Sequence, residues 1–262
     1  MKETRKPVTI VLFILLLTGL NTGSVAAHGA EKVVLVDQSH GQRFLLASEE
    51  PLGLSRLAEA MQAKGLVTKE LTGGITAAAL KNVGALVISG PFQPFSDVET
   101  KALDAFLKRG GRLCLMLHIS APVIPLLKQL GVAVSRAPVR DQINLIGGKP
   151  LDFKVLTLNK HPLTSGLDGF NVYGCWGLLN LDDNSMVLAA TSPVGWSDMN
   201  GDGIRGQEEP NMALGVMVAG KIGKGEFVVL GDDAVFQNKF LTDGNLKLAE
   251  NLSVWLQGGL GN

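Results

Sequence analysis

Short apolar runs alternate with amphipathic segments along most of this chain, and that alternation restricts its fold more than any other feature. Val33 to Asp37, Ala85 to Ser89, Arg112 to Leu117 and Glu226 to Leu230 are blocks of aliphatic and β-branched residues too short for buried helices. Strands that are apolar on both sides must be covered on both faces, which is the condition of a parallel sheet flanked by helices. Between these blocks, Leu54, Leu57, Ala58 and Met61 recur at helical spacing, and Gly65 follows as a left-handed terminator. Val67 to Leu71 reads as a short strand and Thr76 to Lys81 as a short helix. Ser96-Asp97-Val98-Glu99 is a capping box, in which the serine oxygen takes the Glu99 amide and the glutamate reaches back. It opens a helix with Val98, Ala102, Ala105 and Phe106 as its expected apolar stripe. Val123 to Leu130 reads as the next helix and Val132 to Val134 as a short strand. Up to about residue 136 the pattern is a doubly wound α/β half.

From about 137 to 225 the character changes to β-branched runs, turns and glycines. Phe153 to Leu158, Phe170 to Tyr173, Met186 to Ala190 and Ala213 to Ala219 read as strands of a mostly antiparallel elaboration on one sheet edge. No linker-like stretch divides this insertion from the rest, so residues 28–262 read as one domain. Leu248, Leu252, Trp255 and Leu256 place a final amphipathic helix against the sheet.

The N-terminus sets the expected address. Lys2, Arg5 and Lys6 precede an apolar run from Val8 to Leu20, and Val25-Ala26-Ala27 supplies small residues for cleavage. Residues 1–27 therefore read as a secretory signal peptide. The dense part of the run is shorter than the roughly 20 residues of a spanning helix, so no stable membrane insertion is expected after cleavage. The expected location is periplasmic or extracellular. The chain has 24 basic and 24 acidic residues, and without a basic excess no nucleic-acid partner is expected. Only Cys114 and Cys175 are present, and whether they pair stays open, because Cys114 sits in the apolar run Leu113 to Leu117.

Asp198-Met199-Asn200-Gly201-Asp202-Gly203-Ile204-Arg205-Gly206-Gln207-Glu208-Glu209 satisfies the calcium-loop pattern D-x-[DN]-x-[DN]-G-x5-E. Asp198, Asn200 and Asp202 offer side-chain oxygens, Ile204 its carbonyl and Glu209 a closing bidentate carboxylate, and calcium is the expected ion. The flanks are strand-like and Pro210 follows, so the loop lacks its two helices. The ion is expected to staple a long connection rather than to drive a switch.

A second candidate site follows from topology. Ligands of open α/β sheets bind beyond the carboxyl ends of the strands, and those ends carry Asp37, Ser39 and His40, Pro91 and Phe92, His118 and Ser120, and Asp232, Asp233 and Asn238. They read as a polar binding crevice or, alternatively, as caps of the following helices. Tyr173, Trp176 and Trp196 are a candidate aromatic platform or core residues. His161-Pro162 reads as turn chemistry.

Three stretches carry a family resemblance: Val33 to Gly41 (VVLVDQSHG), His161 to Leu167 (HPLTSGL) and Gly223 to Asp232 (GKGEFVVLGD). With them the chain resembles the DUF4350 group, and through it class I glutamine-amidotransferase-like domains, auxiliary domains of gliding-type ABC transport systems and an intraflagellar transport N-terminal domain. The resemblance implies a flavodoxin-like fold. Amidotransferases of this class carry a G-x-C-x-G nucleophile elbow, and the matching stretch here is Leu115-Met116-Leu117-His118-Ile119-Ser120, without a cysteine or a glycine pair at the turn. No catalytic residue is therefore assigned. The expected function is a non-catalytic envelope or secreted binding or accessory protein whose partner is a small molecule, a glycan or an envelope protein. The alternatives are a hydrolase using the strand-end carboxylates and histidines, and a structural subunit of a transport or envelope assembly.

Overall fold

A computed structural model of the chain describes Met1 and residues 32–259. The expected signal peptide and its cleavage after Ala27 lie outside the described residues. Residues 32–259 belong to one compact unit. No helix among the described residues is long and apolar enough to cross a membrane.

The first half alternates as the sequence predicts: β1 (Val33–Asp37), α1 (Ser55–Ala63), β2 (Val67–Leu71), α2 (Ala77–Leu80), β3 (Ala85–Ser89), α3 (Asp97–Lys108), β4 (Arg112–Met116) and α4 (Ile124–Gln129). The second half runs β5 (Val132–Arg140), β6 (Leu145–Ile146), β7 (Lys149–Val155), β8 (Thr157–Leu158), β9 (Phe170–Tyr173), β10 (Trp176–Asn180), β11 (Ser185–Ala190), β12 (Trp196–Ser197), β13 (Gly215–Ile222), β14 (Gly225–Leu230) and α5 (Asp243–Leu256). Strands β2, β1, β3, β4 and β14 lie side by side and parallel in that order. Beyond β14 the sheet continues antiparallel through β13, β10, β5 and β12, with β11 also on β13 and β8 on β11. Strands β6, β7 and β9 make a separate antiparallel sheet.

Side-chain alternation splits the core into two apolar layers, one on each face. Along β4, Cys114 and Met116 join Leu57, Met61, Leu248 and Leu252 of α1 and α5, whereas Leu113 and Leu115 join Leu103, Phe106 and Leu107 of α3 and Leu126 and Leu127 of α4. Helices cover both faces, as continuous apolar strands require. Asn245 of α5 is fully buried. Its side chain takes the Asn171 amide at 2.7 Å and donates to the Asn171 and Val235 carbonyls, each at 3.1 Å, which fastens β9 to the helix.

Three local expectations need correction, the first being Phe153 to Leu158, which divides at Leu156 between β7 of the small sheet and β8 of the large one. The stripe of α3 is Ala102, Leu103, Phe106 and Leu107, while Ala105 is exposed and Val98 is 69% exposed. Leucines at 103 and 107 bury more apolar area than an alanine and a first-turn valine, so they set the face turned to the sheet. The short strand at Val132–Val134 continues to Arg140, because β10 and β12 offer it pairing partners that its own composition does not announce.

Candidate functional site

The strand-end residues divide into two clusters. The first closes on itself. Asp37, buried at the end of β1, accepts hydrogen bonds from Ser39 Oγ at 2.6 Å, from the Ser39 amide at 3.1 Å and from Gln42 Nε2 at 2.5 Å. Its Oδ2 also meets His40 Nδ1 at 2.8 Å, and His40 Nε2 reaches Glu99 Oε1 at 3.3 Å. The imidazole lies against Phe95, ring centroids 4.1 Å apart. Burial alone would depress the His40 pKa, but the Asp37 hydrogen bond and charge, joined by Glu99, raise it above the ordinary value. Glu99 is likewise disfavoured by burial, yet the Ser96 amide and hydroxyl, the Ile75 amide and His40 hold it down at about 2. Enclosed between two carboxylates, His40 ties the end of β1 to the capped start of α3 and offers no free edge to a ligand.

The second cluster is open. His118 follows β4, and its Nδ1 meets Asp233 Oδ1 at 3.1 Å beyond β14, with the imidazole side chain 38% exposed. Three aromatic residues surround it. Phe44 and Phe92 each place a ring centroid 5.1 Å from the imidazole, and Trp176 Nε1 donates to the His118 carbonyl at 3.1 Å. The Arg43 guanidinium stacks over Phe92 at 4.5 Å. The Asp233 hydrogen bond is the main reason that the His118 pKa is raised, against partial burial and the Arg43 charge. Gly90, at φ +55°, makes this approach possible, since a Cβ there would overlap Asp233 Oδ2.

Asp232 points away, taking the Tyr173 amide at 2.5 Å and the Ala234 amide at 2.9 Å. Burial, together with the charge of Asp233, pushes its carboxyl up to about 8. Burial also raises Asp233, against its bond to His118, and Asp233 Oδ2 is buried without a hydrogen-bond partner among the described residues. Asn238 stands apart from both clusters. Its amide nitrogen donates to the Ser48 and Glu50 carbonyls, and its oxygen takes the Arg56 amide, so it anchors the loop before α1. Ser120 precedes a short turn of helix without capping it.

The aromatic trio does not assemble: Trp196 is buried, Tyr173 stacks on Phe240 with centroids 3.8 Å apart, and only Trp176 reaches the His118 site. Arg43 and Phe44 carry no motif that would draw attention to them. Phe92, immediately after a strand and its turn, is visible by position. His161 Nδ1 accepts the Leu163 amide at 3.2 Å, as a turn residue does.

Cys114 and Cys175 are free and buried. Burial pushes both thiols well above the ordinary value, so neither carries a thiolate at neutral pH.

The Asp198 loop follows β12 and satisfies itself by hydrogen bonds. Asp198, buried, takes the Gly201 and Gly203 amides at 2.9 and 3.1 Å, and Glu209, also buried, takes the Met199 and Gly206 amides at 2.6 and 2.8 Å. Asn200 and Asp202 are exposed and bond to each other at 2.9 Å. Arg140 Nη2 stands 2.7 Å from Asp198 Oδ2, so a protein cation already serves the first carboxylate. Among the described residues, no group of three or more His, Cys, Asp or Glu side chains is placed to hold a metal.

The fold and the two strand-end clusters define a mixed α/β protein with a sheet that runs from parallel to antiparallel. Residues 47–253 match the family described as a domain of unknown function, DUF4350, and the chain belongs to that family. No curated protein matches the sequence. Among solved structures, the mmIFT52 N-terminal domain is similar at a TM-score of 0.69 and 18% identity, over 85% of this chain and 96% of that one. A protein described as ThuA-like from Bacteroides uniformis gives 0.51 and 15%, over 89% and 95% of the two chains. A protein described as a GMP synthase subunit from Thermoplasma acidophilum gives 0.52 and 12%, over 88% and 96%. At these identities the likeness concerns the fold alone.

Proposed function

We propose that the protein is a non-catalytic binding or accessory protein of the envelope or extracellular space, with its ligand site at the His118 end of a flavodoxin-like, doubly wound sheet. The parallel order β2-β1-β3-β4-β14 under helices on both faces supports that fold reading. One observation carries the binding reading. His118 is held through Nδ1 by Asp233, leaves Nε2 without a partner among the described residues, and sits in an aromatic rim. A thermal-shift screen of organic acids, glycans and peptides on residues 28–262 and on His118→Ala tests it. A melting-temperature rise in the parent that the variant loses supports the site, and an equal rise in both removes it.

The same dyad favours a hydrolase as the second reading, because an aspartate-oriented imidazole with a free Nε2 can activate a water. Turnover of ester or amide substrates abolished in His118→Ala would establish that reading in place of the first.

The Asp198 loop is proposed to hold calcium as a structural staple, with Asp198, Asn200, Asp202, the Ile204 carbonyl and Glu209 as ligands. Its support is the order of oxygen donors and the burial of the two end carboxylates. Secretion is tested by sequencing the N-terminus of exported material, which should begin at His28.

A further inference from the structure

We propose that His118 and Arg43 form an anion pair site that takes the carboxylate of a planar aromatic ligand and seats its ring against Phe44 and Phe92. This inference rests on the ligand-binding reading of the His118 site. Both cations flank one ring: the Arg43 guanidinium lies 4.5 Å and the His118 imidazole 5.1 Å from the Phe92 centroid. The Asp233 hydrogen bond favours the protonated imidazole, and Asp233 is itself committed, one oxygen to Nδ1 and the other enclosed beneath Gly90. Asp232 is turned to the Tyr173 and Ala234 amides, so Asp233 is the carboxylate that His118 meets. The Arg43 guanidinium has no hydrogen bond or ion pair among the described residues, so its donors are open.

An imidazolium N–H and a guanidinium edge match the two oxygens of a carboxylate. A phosphate would call for more donors, typically a helix N-terminus or a nest of backbone amides. The half-buried Phe44 and Phe92 rings supply stacking surface that a small anion such as acetate would leave unused.

The test follows the His118 ring resonances of residues 28–262 by NMR during titration with benzoate, acetate, benzamide and inorganic phosphate. Benzoate is expected to shift them saturably, with acetate, benzamide and phosphate each weaker by about tenfold or more, and Arg43→Gln is expected to weaken benzoate by about tenfold. Arg43 is exposed, so this variant keeps the fold. Benzamide or phosphate binding as well as benzoate, or benzoate binding unchanged in Arg43→Gln, overturns the proposal. A glycan or peptide from the thermal screen that saturates the His118 shifts where benzoate does not also overturns it, while leaving the binding reading standing. No response of His118 to any of these compounds removes both.

Discussion

Arg140 holds Asp198 by two nitrogens on one oxygen, Nη2 at 2.7 Å and Nε at 2.9 Å from Oδ2. The guanidinium also lies over Trp196, 5.6 Å from its ring. An ion pair in this position does at the head of the loop what a bound cation would do. Burial would raise the Asp198 pKa, but Arg140 and the Gly201 and Gly203 amides hold it below the ordinary value. Arg140→Met should therefore destabilise the calcium-free protein by about 2 kcal/mol, as loss of a charge-assisted bond does. It should also enlarge the rise in melting temperature that calcium produces, because Asp198 is freed for the ion. Equal calcium responses in parent, Arg140→Met and Asp198→Ala/Asp202→Ala would remove the loop from consideration as a calcium site.

The His40 latch makes stability depend on pH from both sides. His40 has a raised folded pKa, so its contribution is complete below about 6.5 and falls as pH rises through the folded value. Glu99 titrates near 2 in the fold against an ordinary 4.5, so its contribution is complete above 4.5 and falls as pH drops toward 2. Raised values at His118 and Asp232 reduce stability in the same alkaline direction, and the lowered Asp198 adds to the acid side. The difference between parent and His40→Gln isolates the latch. Measured by urea unfolding, that difference should be greatest between about pH 4.5 and 6.5 and shrink toward pH 9. A difference independent of pH would mean that the imidazole is neutral throughout.

Gly90→Ala is expected to break the His118 dyad without touching either member. The new Cβ would overlap Asp233 Oδ2 and lie 3.3 Å from His118 Cβ, at a φ that alanine resists. The fold should lose about 1–3 kcal/mol. The His118 pKa should fall toward 6.5 as the aspartate is displaced, read from its ring protons across a pH titration. An unchanged His118 titration in the folded variant would show that Asp233 does not control the imidazole.

Cys114 packs in β4 among Val34, Val87 and Val228, and its thiol is pushed up by burial. Cys114→Ala should cost about 1–2 kcal/mol in chemical unfolding and leave any ligand binding intact. Native Cys114 should resist alkylating reagents until the protein unfolds. Rapid alkylation of the folded chain would place the thiol at the surface and reopen a nucleophilic role.

Local patterning is enough to locate most elements, because period and capping are written in neighbouring residues. Phe170–Tyr173 is a strand with the bounds read from its sequence, and Ser96 and Glu99 make both bonds of their capping box. The strand-end rule likewise singles out His118, Asp232 and Asp233 from sequence alone. What spacing does not carry is partnership across the chain. His40 and His118 both follow buried strands, yet one is enclosed by Glu99 and Phe95 while the other stays open beside Asp233, 115 residues away in sequence. Which loop covers which strand end depends on sheet order and helix placement, and these are set by long-range burial rather than by any local run. The same cause puts Arg140, at the end of a strand longer than its composition announces, onto Asp198. Residue types and element positions are thus sequence properties. The division into a closed latch, an open aromatic site and a loop whose first carboxylate is paired with Arg140 is decided by tertiary packing, because only packing determines which charges meet and which remain in water.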